Sequence, residues 1–445
     1  MAYKYFPQTD ADIQEMLKTA GLQSMDDLYS EVPDKLKLKK NFNLPDSMSE
    51  VEVRNFFSEL GKKNQPLICF SGAGAYDHYT PSVINYIINR SEFQTSYTPY
   101  QAEISQGTLQ YIFEYQTMMA DLTGLDISNA SMYDGHTATA EAMMIAVASA
   151  KKRNKVLISE TVNPTIRSVV ETYAKFHGVE IVGIAEKQGV TDKKDLEDKL
   201  SNGDVAGVIV AQPNYYGIVE DYDGFANACH DSKSLFIMNC NASSLAVLKS
   251  PGEWGADIAV GDGQSLGIPL SFGGPYVGYL CATNSLIRKI PGRIVGGTTD
   301  SNGKRAFVLT MQAREQHIRR EKATSNICSN QGVMTLFVSI YLSLMGKEGL
   351  RQVNELSYSN AHYMCDELIK TSKFEQVFDK PFLYEFCLRA KCDLKELNKR
   401  LQEKGILGGV QVSHKPGMEN CVLFAVTEKR TKNEIDKFIE TVKEL

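Results

Sequence analysis

The chain is short of several things that would narrow its function at once. Its nine cysteines include no CxxC pair and sit mostly in apolar runs such as LICF and YLCA. That argues against a zinc site or a disulfide framework, and buried free thiols are expected for most of them, with Cys328 left unassigned. No apolar run reaches the roughly 20 residues needed to cross a bilayer; the longest is GVMTLFVSIYLSLMG, Gly332 to Gly346. There is no excess of positive charge. Lys and Arg number 48 against 54 Asp and Glu, a formal net charge of -6, so no broad basic field is offered to nucleic acid or to an anionic membrane. The first residues, MAYKYFPQTDADIQEML, lack both the apolar core of a signal peptide and an Arg-rich amphipathic pattern. A cytoplasmic protein is expected. Finally, between Lys249 and Lys289 the chain has no lysine at all.

What is present is ample material for a core. At 445 residues and 43% hydrophobic, the chain is long enough for two or three domains. Residues 1–60 alternate acidic and apolar positions at helical spacing, with Ser47 and Ser49 as candidate N-caps, and read as a helical arm. Such an arm packs on a partner subunit or folds back on its own domain. Over 61–330, helices at about 107–122, 137–150, 164–173, 193–200 and 223–230 are expected. They are interleaved with the apolar strands 155–159, 179–184, 205–211, 234–238 and 258–261. Strands with so little polar alternation, separated by helices, predict a doubly wound, mostly parallel sheet covered on both faces. Residues 331–445 predict two long helices (332–345 and 348–371) and a smaller α/β unit.

Several segments carry polar residues that chemistry could use. Gly135, Thr137 and Thr139 open a helix and would suit a phosphate, yet Asp134 brings a negative charge to the same end, where it would serve as a cap. Tyr215 and Tyr216, in QPNYYGIVEDY, face a cavity at the carboxyl edge of the sheet or pack in a turn. YTPYQAEISQG reads on its residues alone as a turn with Ser105 as N-cap. AREQHIRREKATSNIC gathers Arg314, His317, Arg319, Arg320 and Lys322 before Thr324, Ser325 and Asn326, either as a solvated charged face or as a loop that receives an anion. PGRIVGGTTD, with Arg293, reads as a mobile glycine-rich loop. Of the histidines, His78 and His317 have the strongest claim to a role.

Five blocks, FSGAGAYDHYTPSVI, YTPYQAEISQGTLQYIFEYQT, ASMYDGHTATAEAM, LKSPGEWGADIAVGDGQSLGIPLSFGGP and QAREQHIRREKATSNIC, resemble the glycine decarboxylase family, the P-protein of the glycine cleavage system, in its N-terminal half. The resemblance implies a fold-type-I pyridoxal-phosphate transferase architecture. It implies a reaction in which glycine, joined to pyridoxal phosphate, loses CO2 and passes its aminomethyl carbon to the lipoyl group of H-protein. In such an enzyme the lysine of the Schiff base would follow the strand at 258–261. Gln264 and Ser265 stand there instead, and neither forms an imine. Asn239 and Asn241 occupy the stretch where an acid should hold the pyridine nitrogen protonated.

By this resemblance the chain has no catalytic group of its own. It pairs in an α2β2 assembly with a subunit that holds the cofactor covalently. Tyr97, Tyr100, Ser105, Gln106, His317 and Arg319 would line the shared pocket, and Thr324, Ser325 and Asn326 would reach toward the partner-bound cofactor. No metal is expected. The residues leave two rivals open: an autonomous enzyme with a displaced lysine, Lys249 or Lys289, and a non-catalytic scaffold.

Overall fold

The computed structural model describes residues 5–40, 42–94, 98–412 and 415–445. The chain forms two compact units, Met1–Gln65 and Pro66–Leu445.

In the first unit, helices α1 (Asp10–Thr19) and α2 (Glu50–Gly61) both begin with capping boxes, Thr9 with Asp12 and Ser49 with Glu52. Of the two serines that the sequence offered as caps, Ser49 is the one used. Helix α2 carries Val53, Phe56, Phe57 and Leu60 at the i, i+3, i+4, i+7 spacing of one helix face, and all four are exposed.

The second unit is built on a seven-stranded sheet. Its strands are β1 (Ile127–Ser128), β2 (Lys155–Ser159), β3 (Glu180–Ile184), β4 (Val205–Gln212), β5 (Leu235–Cys240), β6 (Ile258–Asp262) and β7 (Gly278–Ala282), in the spatial order β1-β7-β6-β5-β4-β2-β3. All pairs from β3 to β6 are parallel; β7 runs antiparallel to β6 and β1. The interior strand β4 is buried at every position, as expected of a strand covered on both faces. Helices α3 (Gln106–Thr123), α4 (Gly135–Ser149), α5 (Pro164–His177), α6 (Lys193–Leu200) and α7 (Phe225–Asp231) supply the cover. Most lie within two residues of their expected bounds. Strands β1 and β7 are additional to those expected from the sequence.

The segment expected to be a mobile glycine-rich loop is instead a strand. β8 (Ile294–Thr299) pairs with β9 (Arg305–Thr310) along its whole length. The glycines that suggested mobility serve close packing: a Cβ on Gly296 would stand 2.6 Å from Thr310 Cγ2.

Past residue 331 a helical run, α8 (Gly332–Lys370), is broken at Gly346, whose φ of 57° and ψ of -173° leave the helical region. The two helices expected at 332–345 and 348–371 thus meet at a residue without a Cβ to penalise the left-handed φ. By length and composition this run could span a bilayer, but Phe337, Val338 and Tyr341 are buried in a core with Leu266, Val277 and Tyr279. A four-stranded antiparallel sheet follows, β10 (Phe374–Gln376), β11 (Glu385–Ala390), β12 (Val410–Gln411) and β13 (Cys421–Ala425), ordered β10-β11-β13-β12. With it go α9 (Leu394–Glu403), capped by Asp393, and α10 (Lys432–Lys443).

Candidate functional site

Parallel strands direct their carboxyl ends to one edge, where a doubly wound sheet places its ligands. At that edge Ala211, Asn239, Asn241, Asp262 and Ser265 line a cleft with Gly135 and His136 at the start of α4, and Tyr76, Tyr215 and Glu385 close it. No lysine lines it.

The cleft is filled by the chain's own hydrogen bonds. Gln264, beside the position expected for the Schiff-base lysine, accepts from the backbone N–H of Tyr76 at 2.8 Å and donates to the carbonyls of Tyr76 at 2.8 Å and Ile268 at 2.7 Å. Ser265 Oγ accepts from the N–H of Ser243 at 3.1 Å. Asn239 donates to Thr139 Oγ1 at 2.8 Å.

At the helix N-terminus, Gly135 N–H donates to Asp262 Oδ2 at 3.0 Å and Thr137 N–H to Asp134 Oδ1 at 2.9 Å. Two carboxylates therefore hold the donors that a phosphate would require, and they would repel its dianion. The approach is so close that a Cβ on Gly135 would lie 2.6 Å from the nitrogen of Asp262. Burial lifts the Asp262 carboxyl to about 6 despite those donors. Burial likewise lifts Glu385, bonded to Tyr76 Oη at 2.7 Å, to about 7. Pyridoxal phosphate does not fit this cleft: the amine, the free helix N-terminus and the pyridine acid are all missing.

The displaced-lysine candidates do not compensate. Lys249 Nζ lies 3.7 Å over the Trp254 ring, a cation–π contact outside the cleft.

A second cavity, of about 310 Å³, opens beside α4 and α5. Thr324, Ser325 and Asn326 line it together with Tyr133, Glu141, Tyr173 and His177. Ser325 Oγ donates to Glu141 Oε1 at 2.8 Å and accepts from the N–H of Ile327 at 3.1 Å, which fixes the loop. The side chains of Thr324 and Asn326 are exposed and make no hydrogen bond among the described residues. Glu141 went unnoticed in the sequence, although an acid among Ala138, Ala140, Ala142 and Met143 on a small-residue helix was a readable signal.

Burial raises the Glu141 carboxyl from 4.5 to about 7, against the Ser325 hydrogen bond that lowers it. Between those values the folded state holds a proton that the unfolded state has released. Its contribution to stability is therefore complete below pH 4.5 and is lost as the pH rises through about 7. Glu141→Gln should accordingly flatten the fall in unfolding free energy between pH 5 and pH 8, by an amount on the order of 2 kcal/mol, and with it the fall in Tm. Parallel Tm–pH profiles for the two proteins would count against the assignment.

The remaining expected residues separate into two groups. Tyr100 and His317 come together, ring centroids 6.5 Å apart, and Arg293 lies over the Tyr100 ring at 5.1 Å, its Nη2 donating to Tyr100 Oη at 3.2 Å. Gln106 is a structural clasp, donating to the carbonyls of Ala102 and Phe307 and accepting from Phe307 N–H. Ser105 precedes α3 but its side chain makes no cap hydrogen bond, so the N-cap reading of its residues does not hold. Its φ of -117° and ψ of 20° place it outside the extended geometry usual for a capping serine. Arg319 is exposed in a four-residue helical turn and forms no ion pair among the described residues. Tyr97 lies outside the described residues. Tyr216 is buried with its hydroxyl on Glu186 at 2.9 Å, whereas Tyr215 lines the cleft. His78 is a buried partner of Glu428 at 2.7 Å and belongs to the packing.

The geometry accords with the known proteins to which this chain is similar. Residues 3–442 match the family described as glycine cleavage system P-protein. A protein of Anoxybacillus flavithermus named probable glycine dehydrogenase (decarboxylating) subunit 1 is 48% identical over 444 residues, 99% of this chain and 98% of its own. The crystal structure of a glycine decarboxylase (P-protein) of the glycine cleavage system, in inhibitor-bound form, superposes with a TM-score of 0.91 at 40% identity, covering 99% of this chain and all of that one. A sphingosine-1-phosphate lyase of Burkholderia pseudomallei shares the fold-type-I architecture at a TM-score of 0.66 and 13% identity, over 93% of this chain and 94% of its own. The sequence match runs nearly end to end, and the chain belongs to the glycine cleavage system P-protein family.

Proposed function

We propose that this chain is the subunit of a cytoplasmic glycine dehydrogenase (decarboxylating) that holds no cofactor of its own. It would act in an α2β2 assembly with a second subunit that carries pyridoxal phosphate on a lysine. The pair removes the carboxylate of glycine as CO2 and transfers the aminomethyl carbon to lipoylated H-protein. The observation that carries this reading is the Asp262–Gly135 hydrogen bond, by which the chain occupies its own phosphate position.

The contribution of this chain is positional. Thr324 and Asn326 present a free hydroxyl and a free amide on a loop that Ser325 and Glu141 brace, donors suited to the edge of a partner-bound phosphate. Tyr100 and His317 supply a half-exposed aromatic wall, and Tyr97 is assigned to the same wall from the sequence alone. Such groups accelerate a reaction by fixing the reactants and excluding water. The exposed stripe of α2 supplies an apolar surface for the partner.

Copurification of this chain with a lysine-bearing homologue, and turnover of glycine only by the pair, is the experiment that tests the reading. A catalytically competent single chain would contradict it. The double substitution Thr324→Ala/Asn326→Ala should lower kcat/KM of the reconstituted pair roughly tenfold or more, the scale of one or two hydrogen bonds to a charged group. Steady-state kinetics identical to the parent would remove these residues from the site.

A further inference from the structure

Among the described residues two arginines are almost wholly buried, and only one of them has a carboxylate partner. Arg430, 6% exposed, is neutralised by Asp77 at 3.1 Å and Glu434 at 4.0 Å. Arg293, 2% exposed, has no carboxylate within ion-pair distance among the described residues. Among the described residues its side-chain partner is Tyr100, whose neutral hydroxyl accepts from it and whose ring centroid lies 5.1 Å from the guanidinium carbon, and its Nε–H is buried with no acceptor. A guanidinium withdrawn from water without an anion costs several kcal/mol, so a fold that holds it rigidly is prepared for an anion from outside.

The rigidity is visible in the backbone. Arg293 leads directly into β8, and its carbonyl accepts from Ala130 N–H at 2.8 Å. The neighbouring cation does not compete for the role, because Arg314 directs its two terminal nitrogens to the carbonyls of Ile290 and Gly292. Beside Arg293, Tyr100 is 55% exposed, and His317, whose ring centroid is 6.5 Å from that of Tyr100, is 47% exposed. Glu315, the buried acid nearby, faces His317 Nδ1 at 3.6 Å.

From this geometry we propose that Arg293, Tyr100 and His317 form a receptor for one small carboxylate, the α-carboxylate of the amino acid substrate. A single uncommitted guanidinium offers one positive charge and a two-pronged donor, which matches a carboxylate monoanion. A phosphate dianion would be left half neutralised. The Tyr100 hydroxyl, now the stand-in acceptor for Arg293, turns over to donate to the incoming carboxylate. Naming the substrate's carboxylate as the ligand rests on the proposed function; the presence of an oxyanion receptor does not.

Saturation-transfer NMR on the full-length chain, alone and assembled with its partner, provides the test, with acetate, glycine, glycinamide and inorganic phosphate as probes. Acetate and glycine are expected to bind, with glycinamide about tenfold weaker, because it lacks the charge. Arg293→Met should weaken acetate about tenfold or more, and Arg293→Lys, which keeps the charge but loses the fork, by an intermediate factor. Tyr100→Phe should weaken it a few-fold and serves, with Arg293→Lys, as the deciding variant if the methionine protein does not fold. In the assembled enzyme Arg293→Lys should raise KM for glycine about tenfold with kcat changed much less.

Acetate binding that none of these variants alters, glycinamide binding equal to glycine, or phosphate preferred over acetate would each overturn the proposal. Acetate bound through Arg293 in a chain whose assembly fails to turn over glycine would uphold the receptor and defeat the proposed function. An active assembly with no acetate binding would do the reverse.

Discussion

Mixed with pyridoxal phosphate and reduced with borohydride, the chain by itself is expected to acquire no stoichiometric pyridoxyl adduct, and to release CO2 from glycine at least roughly a thousandfold more slowly than the two-subunit enzyme. The reason is chemical before it is structural. An imine requires a primary amine, and among the described residues the cleft at the ends of β4, β5 and β6 is lined by amides, hydroxyls and carboxyls without a lysine. The structure adds two obstacles. Asp262 and Asp134 occupy the helix donors that would anchor the phosphate, and Gln264 is held by three hydrogen bonds that a larger ligand would have to break. Mass spectrometry of peptides after reduction reads the outcome. A single modified site at Lys249 or Lys289 at one equivalent per chain, together with unaided decarboxylation, would defeat the reading; scattered sub-stoichiometric labelling of surface lysines would not.

Replacing Phe56 and Phe57 with aspartate should weaken assembly with the partner subunit by two orders of magnitude or more, while Tm of the chain itself changes little. Helix α2 has no buried residue, and it is stabilised locally by the Ser49–Glu52 capping box and the Glu50–Arg54 pair. Its stripe of Val53, Phe56, Phe57 and Leu60 lies open, with the two phenylalanines edge to face at 5.4 Å. Each buried aromatic anchor contributes about 1.5–3 kcal/mol to an interface, and a charge in its place adds a desolvation cost. Light scattering on the mixed subunits gives the stoichiometry and its concentration dependence. An unchanged dissociation constant would assign the stripe another role, and a large drop in Tm would show that it packs within the chain.

Some of this was legible in the residues. Strands such as 205–211 are uniformly apolar, and a strand with no polar face has only one stable environment, between two layers of helices. The lysine-free stretch between Lys249 and Lys289 was equally plain. The opposition of Asp134 to a phosphate at α4 could also be inferred, because a cap and an anion compete for the same N–H groups.

Other features depended on distance along the chain. Asp262 lies 127 residues from Gly135, and nothing near either residue reveals that one blocks the other. The Tyr100–Arg293 pair spans 193 residues. Glycines at 296 and 297 suggest a flexible loop until the facing strand β9 is seen. The sequence by itself determined the layered architecture and the lysine-free stretch between Lys249 and Lys289, because periodicity and functional-group inventory are local properties. Only the tertiary structure decided which carboxylate closes the cofactor position, which acid is buried beside the 324–326 loop, and which guanidinium is left without an anion, because burial and charge pairing arise only when distant segments meet.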